Sequence, residues 1–276
     1  MKQIQDFRVV SNTDVRARMF RLTLTPADGK PLAECRPGQF VEVRVDGNPS
    51  VFLRRPISIH RIDRERNELQ LLIQVAGRGT ETLSHLEPGS MLNIVYPLGN
   101  GFTMPEAGLT ERHLLVGGGV GIAPLLELGR QLKAQGQTVT YLLGVRTYDE
   151  AMAQWLKPYA ETATLLLTTE DGSAGERGFA TQHSQFRTEL YDHVHVCGPM
   201  PMMKAVARGI REQLAALQHV APEEAVVPRG YCEVSLENKM ACGLGVCLCC
   251  VEDTRDGHRC VCSDGPVFDI IDLKSY

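Results

Sequence analysis

The hydrophobic period of this chain changes near Arg112, and that change limits what it can fold into. Upstream, FRVVS (7–11), RMFRLTL (18–24), QFVEVRV (39–45), PISIHRI (56–62), ELQLLIQV (68–75) and MLNIVYP (91–97) alternate apolar and polar residues, with Gly, Pro, Asn and Asp between them. Six short alternating segments predict a closed, six-stranded antiparallel barrel. Downstream, HLLVGGG, TVTYLLGVR, ATLLLTTED and HVHVCGP read as near-continuous apolar strands, and helical patterns lie between them. In the last helix, Met203, Val206, Ala207, Ile210, Leu214 and Leu217 fall on one face. Strand–helix alternation of this kind predicts a doubly wound parallel sheet. The chain of 276 residues has room for both units and a small third, with expected boundaries at 1–103, 104–224 and 225–276.

Three stretches of the barrel carry chemistry. Arg54 and Arg55 precede Pro56, Ile57 and Ser58. An arginine fork neutralises a diphosphate, and a serine two residues past the proline can hydrogen-bond a flavin. Gly77 and Gly79 lead into a short helix where free N–H groups suit an anion, or where Thr80 simply caps the helix. Pro97, Leu98, Gly99, Asn100, Gly101 and Phe102 close the barrel; Phe102 is expected either beside an isoalloxazine or in a plain boundary turn.

In the sheet, Gly117, Gly118, Gly119 and Gly121 stand between a strand and a helix, where backbone N–H groups can seat a pyrophosphate. The spacing is not G-x-G-x-x-G, so that fingerprint lends no support. Cys197, Gly198 and Pro199 end another strand, and ligands of such sheets bind beyond the C-terminal strand ends. Cys197 is expected there either as part of a nicotinamide site or as a buried strand end. Met200, Met202 and Met203 are expected in the core.

Residues 240–268 hold six of the nine cysteines. Cys242, Cys247 and Cys250 form C-x4-C-x2-C, and Cys262 follows after eleven residues. This is the plant-type [2Fe–2S] spacing, in which a loop wraps three thiolates around the cluster and a later segment delivers the fourth. Zinc sites space their cysteine pairs differently, and disulfide frameworks belong to small secreted domains. Cys249 in place of Cys250, and Cys260 in place of Cys262, remain open alternatives. Cys35, Cys197, Cys232, Cys249 and Cys260 are otherwise expected as small buried side chains.

Composition excludes several classes. A net charge of −4 leaves no nucleic-acid footprint. No apolar stretch approaches the roughly 18 residues of a membrane span. MKQIQDFRVV lacks the apolar core of a signal peptide, and nine cysteines without an export signal point to a reducing, cytoplasmic setting.

Taken in order, R-P-x-S, G-G-G-x-G, C-G-P and the cysteine tail resemble the ferredoxin reductase family. Residues 53–59, 97–102, 118–125, 240–247 and C-S-D-G-P-V-F from Cys262 to Phe268 narrow this. They are similar to the electron-transfer subunits of NAD-dependent (B-type) dihydroorotate dehydrogenases, and the likeness runs along nearly the whole chain. The resemblance implies FAD along Arg55, Pro56, Ile57, Ser58, Leu72, Ile73, Gln74, Gly79 and Thr80. It implies a [2Fe–2S] cluster on Cys242, Cys247, Cys250 and Cys262, and NAD at Gly118, Gly119, Gly121, Cys197 and Gly198. It also implies an FMN-bearing catalytic partner, two of each subunit, and electrons passing from FMN through the cluster and FAD to NAD+ in pyrimidine synthesis. No catalytic acid or base is expected, since the cofactors carry the chemistry. A reductase subunit for another partner (ferredoxin:NADP oxidoreductase, sulfhydrogenase or sulfite reductase) and a non-redox zinc protein are the alternatives. Arg146 against Asp149 and Glu150 leaves the choice of NAD over NADP to the resemblance. Tyr276 is expected as a free end.

Overall fold

A computed structural model describes residues 1–16, 18–106 and 108–276. Its first unit is a closed barrel of β1 (Gln3–Arg16), β2 (Met19–Pro26), β3 (Phe40–Val43), β4 (Arg55–Asp63), β5 (Glu68–Gln74) and β6 (Met91–Leu98), ordered β1-β2-β5-β4-β3-β6. A short helix, α1 (Arg78–Ser84), fills the gap between β5 and β6. Alternation drives the closure. Leu22, Leu24, Leu69, Leu71, Ile73, Ile94 and Tyr96 point into one dry core, and the Phe7 and Tyr96 rings meet edge to face at 5.3 Å.

The second unit runs β7 (Arg112–Gly118), α2 (Ala123–Ala134), β8 (Thr138–Val145), α3 (Glu150–Thr162), β9 (Thr164–Thr169), β10 (Glu176–Arg177), α4 (Ser184–Thr188), β11 (His193–Cys197) and α5 (Met200–Gln218). In α5, Met203, Val206, Ala207, Ile210 and Leu214 are buried, as the helical period predicts, whereas Leu217 and Met200 are exposed. Asp149 caps α3 through a bond from the Met152 N–H at 2.8 Å.

The chain ends with β12 (Cys232–Ser235), the hairpin β13 (Val251–Thr254) and β14 (Gly257–Cys260), and β15 (Val267–Asp269). β12 and β15 join the large sheet, whose order is β10-β9-β8-β7-β11-β12-β15. β12 is parallel to β11, and β15 is antiparallel at the edge. The cysteine segment is therefore built onto the sheet, and Cys250, Val261, Cys262 and Phe268 share a core with α5. Strands of three or four residues carry too little pattern for periodicity to register. Tyr276 is not a free end: its ring packs against that core and lies under Lys204.

The barrel and the sheet meet along β4 and α2. The His60 ring bonds the Ala123 carbonyl through Nδ1 at 2.9 Å, and the Ile62 N–H donates to Glu127. Leu72 alternates outward from the barrel and joins Phe102, Ile122 and Ala123 in the core beneath the sheet.

Candidate functional site

The strand order places a topological switch at β7. The chain proceeds from β7 through β8, β9 and β10 on one side, then returns to β11 on the other. Ligands of open α/β sheets bind where the order reverses, beyond the C-terminal strand ends. The glycines after β7 and the pair Cys197–Gly198 after β11 flank that crevice. They also touch. A Cβ on Gly121 would stand 2.4 Å from the Gly198 Cα, and one on Gly118 would stand 2.6 Å from the Met202 sulfur. Gly119 has open space and a φ of +56°. These glycines bring two backbones together beside the Met202 side chain and leave the Gly119 backbone exposed, which suits a dinucleotide. Cys197 is fully buried, and burial pushes its thiol far up, so no reactive thiolate lies there. Asp149 caps α3 through one carboxylate oxygen and stays exposed, so its other oxygen is open to a ribose contact.

On the barrel, Arg55, Pro56, Ile57 and Ser58 are half-exposed along β4, and β5 is its hydrogen-bonded neighbour. The Arg55 guanidinium lies over Gly79, where a Cβ would come within 2.3 Å of Nε, so the glycine holds the arginine at the start of α1. Arg54 does not join it. Its guanidinium turns away to the Asn93 carbonyl at 2.9 Å and the Glu42 carbonyl, bracing the barrel. The expected fork is thus one arginine and one brace. Gly77 rather than Thr80 occupies the N-cap of α1, and the Thr80 hydroxyl accepts from the Ala76 N–H at 2.9 Å. Ile73 points into the barrel core, so only its backbone faces outward; Gln74 is exposed. Phe102 is buried beneath the sheet and touches His195, which makes it a core residue.

The cysteine loop is shaped by its backbone. Gly243, Gly245 and Leu248 have φ of +67°, +85° and +56°. With the chain bent this way, N–H groups turn toward sulfur. Leu244 N donates to Cys242 Sγ at 3.3 Å, Gly245 N to Cys262 Sγ at 3.1 Å, and Cys262 N to Cys250 Sγ at 3.4 Å. Burial raises the Cys242 thiol, but N–H donors from Leu244, Cys247 and Val246 outweigh it and bring the group down to about 6. Cys262 is pushed up to about 12 by burial and by Cys250. Donors aimed at sulfur stabilise thiolates, so the loop fits a thiolate-held cluster. Cys260 is buried against the Gly245 carbonyl, whereas Cys249 is exposed, contrary to the expectation of a buried side chain.

Two features were invisible in the motifs. The first is a weld between them. The Asn100 N–H donates to the Gly265 carbonyl at 2.5 Å, and its side-chain amide reaches the carbonyls of Ser263 and Asp264. The turn that closes the barrel is thereby locked to the turn that follows Cys262. The second is Glu42, buried in β3 with neither carboxylate oxygen bonded. Its side chain supports Gly243, where a Cβ would meet Cγ at 2.7 Å. Burial raises the carboxyl to about 7, Arg54 opposes the rise and Cys242 adds to it. A glutamate in an alternating strand reads as outward-facing, so no pattern could mark it.

Comparison with known proteins places these features together. The family described as the iron-sulfur cluster binding domain of dihydroorotate dehydrogenase B matches residues 237–274, and the oxidoreductase NAD-binding domain matches residues 115–208. The chain is 37% identical over 268 residues to a Lysinibacillus sphaericus protein named dihydroorotate dehydrogenase B (NAD(+)), electron transfer subunit, covering 96% of each. A Bacillus cereus protein of the same name is 35% identical over 275 residues, covering 98% of each. Among solved structures, an NADH-dependent reduced ferredoxin-NADP oxidoreductase aligns with a TM-score of 0.76 and 29% identity, over 95% of this chain and 87% of the other. The FAD/NAD binding domain of a Vibrio cholerae nitric oxide dioxygenase aligns with a TM-score of 0.65 at 19% identity, over 83% of this chain and 97% of the other, a likeness of fold.

Proposed function

The chain belongs to the family of dihydroorotate dehydrogenase B electron transfer subunits, and from that premise we propose that it links a dihydroorotate-oxidising partner to NAD+. Its cofactors are FAD, a [2Fe–2S] cluster and NAD, and the reaction it serves is a step of de novo pyrimidine (UMP) synthesis. The partner is an FMN-bearing catalytic subunit, the assembly holds two of each chain, and the setting is cytoplasmic. Among the described residues no helix is long and apolar enough to cross a membrane.

When bound, the flavin and cluster supply the electron chemistry, joining a two-electron hydride carrier to one-electron transfer. The chain's own residues bind and orient. Arg55 offers its guanidinium to the FAD diphosphate beside Gly79, and β4 from Pro56 to Ser58, with Leu72, Ile73 and Gln74 of β5, lines the flavin. Thr80 contributes through the turn it holds rather than through a free hydroxyl. Gly118, Gly119, Gly121, Cys197 and Gly198 form the floor for NAD, where the open space at Gly119 permits close approach. Cys242, Cys247, Cys250 and Cys262 hold the cluster, with N–H groups from residues 244, 245 and 262 stabilising their sulfurs. No side chain has to move a proton.

The weld at Asn100 is the observation that carries this reading. It sets the cysteine segment against the flavin barrel on one side, while Leu244, Val246 and Leu248 stay exposed on the loop. Exposed apolar side chains around a redox loop suit docking to an electron donor. The test is to purify the tagged chain anaerobically from its native cells and assay dihydroorotate-dependent NAD+ reduction. A co-eluting FMN protein with that activity is expected. A yellow-brown eluate that oxidises NADH but ignores dihydroorotate would select the second reading, a reductase subunit for another partner, which the likeness to the ferredoxin-NADP oxidoreductase favours.

A further inference from the structure

Cys260 sits inside the cysteine segment without being one of the four sulfurs assigned to the cluster. It is buried at the end of β14, two residues before Cys262. The backbone fixes its surroundings. The Cys260 N–H donates to an Asp264 carboxylate oxygen at 2.7 Å, and the Cys260 carbonyl accepts from the N–H groups of Ser263 at 3.0 Å and Asp264 at 2.8 Å. The Val261 N–H donates to the Cys250 carbonyl at 3.0 Å. The turn that carries Cys262 is thus closed on itself and tied to the cysteine loop.

From this turn the Cys260 side chain meets Gly245. Its sulfur lies 3.7 Å from the Gly245 carbonyl oxygen, and the Gly245 N–H donates to Cys262 Sγ at 3.1 Å. A carbonyl only accepts, so the contact requires the thiol proton, and Cys260 is its donor. Gly245 is therefore held at both ends, its carbonyl by one cysteine and its N–H by the other. On a third side, a Cβ would meet Ser263 Oγ at 2.7 Å. Of the three N–H···S bonds described above, the one from Gly245 is the shortest, and it crosses 17 residues to reach the fourth sulfur. Glycine has the widest conformational choice of any residue, and Gly245 uses it at a φ of +85°. Freed at its carbonyl, it can turn and take the N–H off the sulfur.

We infer that Cys260 is a positioning residue for the cluster's reduction potential: its thiol holds the Gly245 carbonyl so that the Gly245 N–H stays on the Cys262 sulfur. Hydrogen bonds to the sulfurs are among the factors that set such potentials. An N–H at sulfur favours the form with more negative charge, which is the reduced one. The clasp therefore raises the potential and eases acceptance of an electron. This role rests on the [2Fe–2S] reading with Cys262 as fourth ligand, and Cys260 acts in it through Gly245 without binding iron.

The test is a redox titration of purified holoprotein, with the reduced cluster followed by electron paramagnetic resonance. Cys260→Ala should keep the visible absorbance and the iron content. At a fixed ambient potential, its ratio of reduced to oxidised cluster should fall at least about threefold, which is about 28 mV for a one-electron couple. Cys260→Ser, which keeps a donor, should recover part of that shift. Isotopic labelling of glycine nitrogen reads Gly245 directly: the parent protein should show a hyperfine coupling from the reduced cluster to a glycine peptide nitrogen, and Cys260→Ala should weaken it. No such coupling in the parent protein, an unchanged potential in Cys260→Ala, or Cys260→Ser matching Cys260→Ala would each overturn the role. Cluster loss in Cys260→Ala with retention in Cys262→Ser would overturn it too, by making Cys260 the fourth ligand. A parent protein that purifies without iron would instead sink the cluster reading, and this role with it, before any variant is compared.

Discussion

The glycines after β7 and those of the cysteine loop differ in what a methyl group would break. At Gly121 the backbone angles are ordinary, and the obstacle is another backbone, the Gly198 Cα at 2.4 Å. At Gly243 and Gly245 the obstacle is first conformational, with φ of +67° and +85°, and the neighbours are side chains, Glu42 and Ser263. The first loop uses glycine to make room. The second uses it to turn N–H groups onto sulfur. One loop should therefore fail by losing a binding surface and the other by losing a donor set.

The largest effect tests the second half of that contrast. Cys262→Ser and Cys250→Ser should each abolish the cluster, seen as loss of its visible absorbance and of the reduced-state paramagnetic signal. NADH-driven flavin reduction should persist, because the NAD floor is built on the loops after β7 and β11 and uses none of these cysteines. Cys249→Ser should keep the cluster, since it is the neighbouring Cys250 that is buried and accepts from the Cys262 N–H. Cluster loss in Cys249→Ser with retention in Cys250→Ser would reassign the ligand. Gly121→Ala is the matching test at the other loop. Its methyl group cannot fit without parting β7 from β11, so NADH affinity should fall at least about tenfold while cluster absorbance stays unchanged.

A third effect concerns how the NAD loop is seated on the barrel. His60 bonds Ala123, at the start of α2, and burial lowers the imidazole to about 4; the Ala123 carbonyl opposes the shift, and Arg21 and Arg61 add to it. A base with a depressed value binds its proton more readily when unfolded. Its contribution is thus complete above about pH 6.5 and is lost as the pH falls toward 4. The loss amounts to about 3 kcal/mol, and His113, lowered to about 3 by burial and by His195 and His193, draws on the same range. Urea midpoints between pH 7 and pH 4 should fall steeply, and His60→Gln should flatten part of the slope. An unchanged slope would remove His60 from the account.

These contrasts also show how far the residues alone could be read. All six barrel strands and the long helices were legible, because their periods run over many residues and each buries a continuous face. The cysteine spacing was legible because four thiolates must meet one cluster. Arg54 and Tyr276 misled, since a guanidinium or a chain end takes its role from neighbours distant in sequence: Asn93 for Arg54 and Lys204 for Tyr276. The weld at Asn100 joins residues 163 to 165 positions apart, and the stacking of the His113, His193 and His195 rings depends on β7 lying beside β11. Neither adjacency has any local signature.

The smallest effect gives the cysteine loop a pH response opposite to that of the NAD loop. Glu42 is a carboxyl raised from its ordinary value to about 7, chiefly by burial. A raised acid favours the folded state while protonated, so this contribution is present below about pH 4.5 and is lost as the pH rises through about 7. Ionisation would place a charge against Gly243, with no donor on either oxygen and Arg54 and, more weakly, Arg55 to offset it. Amide exchange of residues 242–248 should therefore grow between pH 6 and pH 8 beyond the intrinsic base-catalysed increase, whereas residues 118–122 should show no such excess. Glu42→Gln keeps the shape and removes the ionisation, so it should abolish the excess and leave the acid-side loss at His60 intact. If the excess survives in Glu42→Gln, the loop is loosened by its own thiols, and the contrast between the two loops would rest on geometry alone.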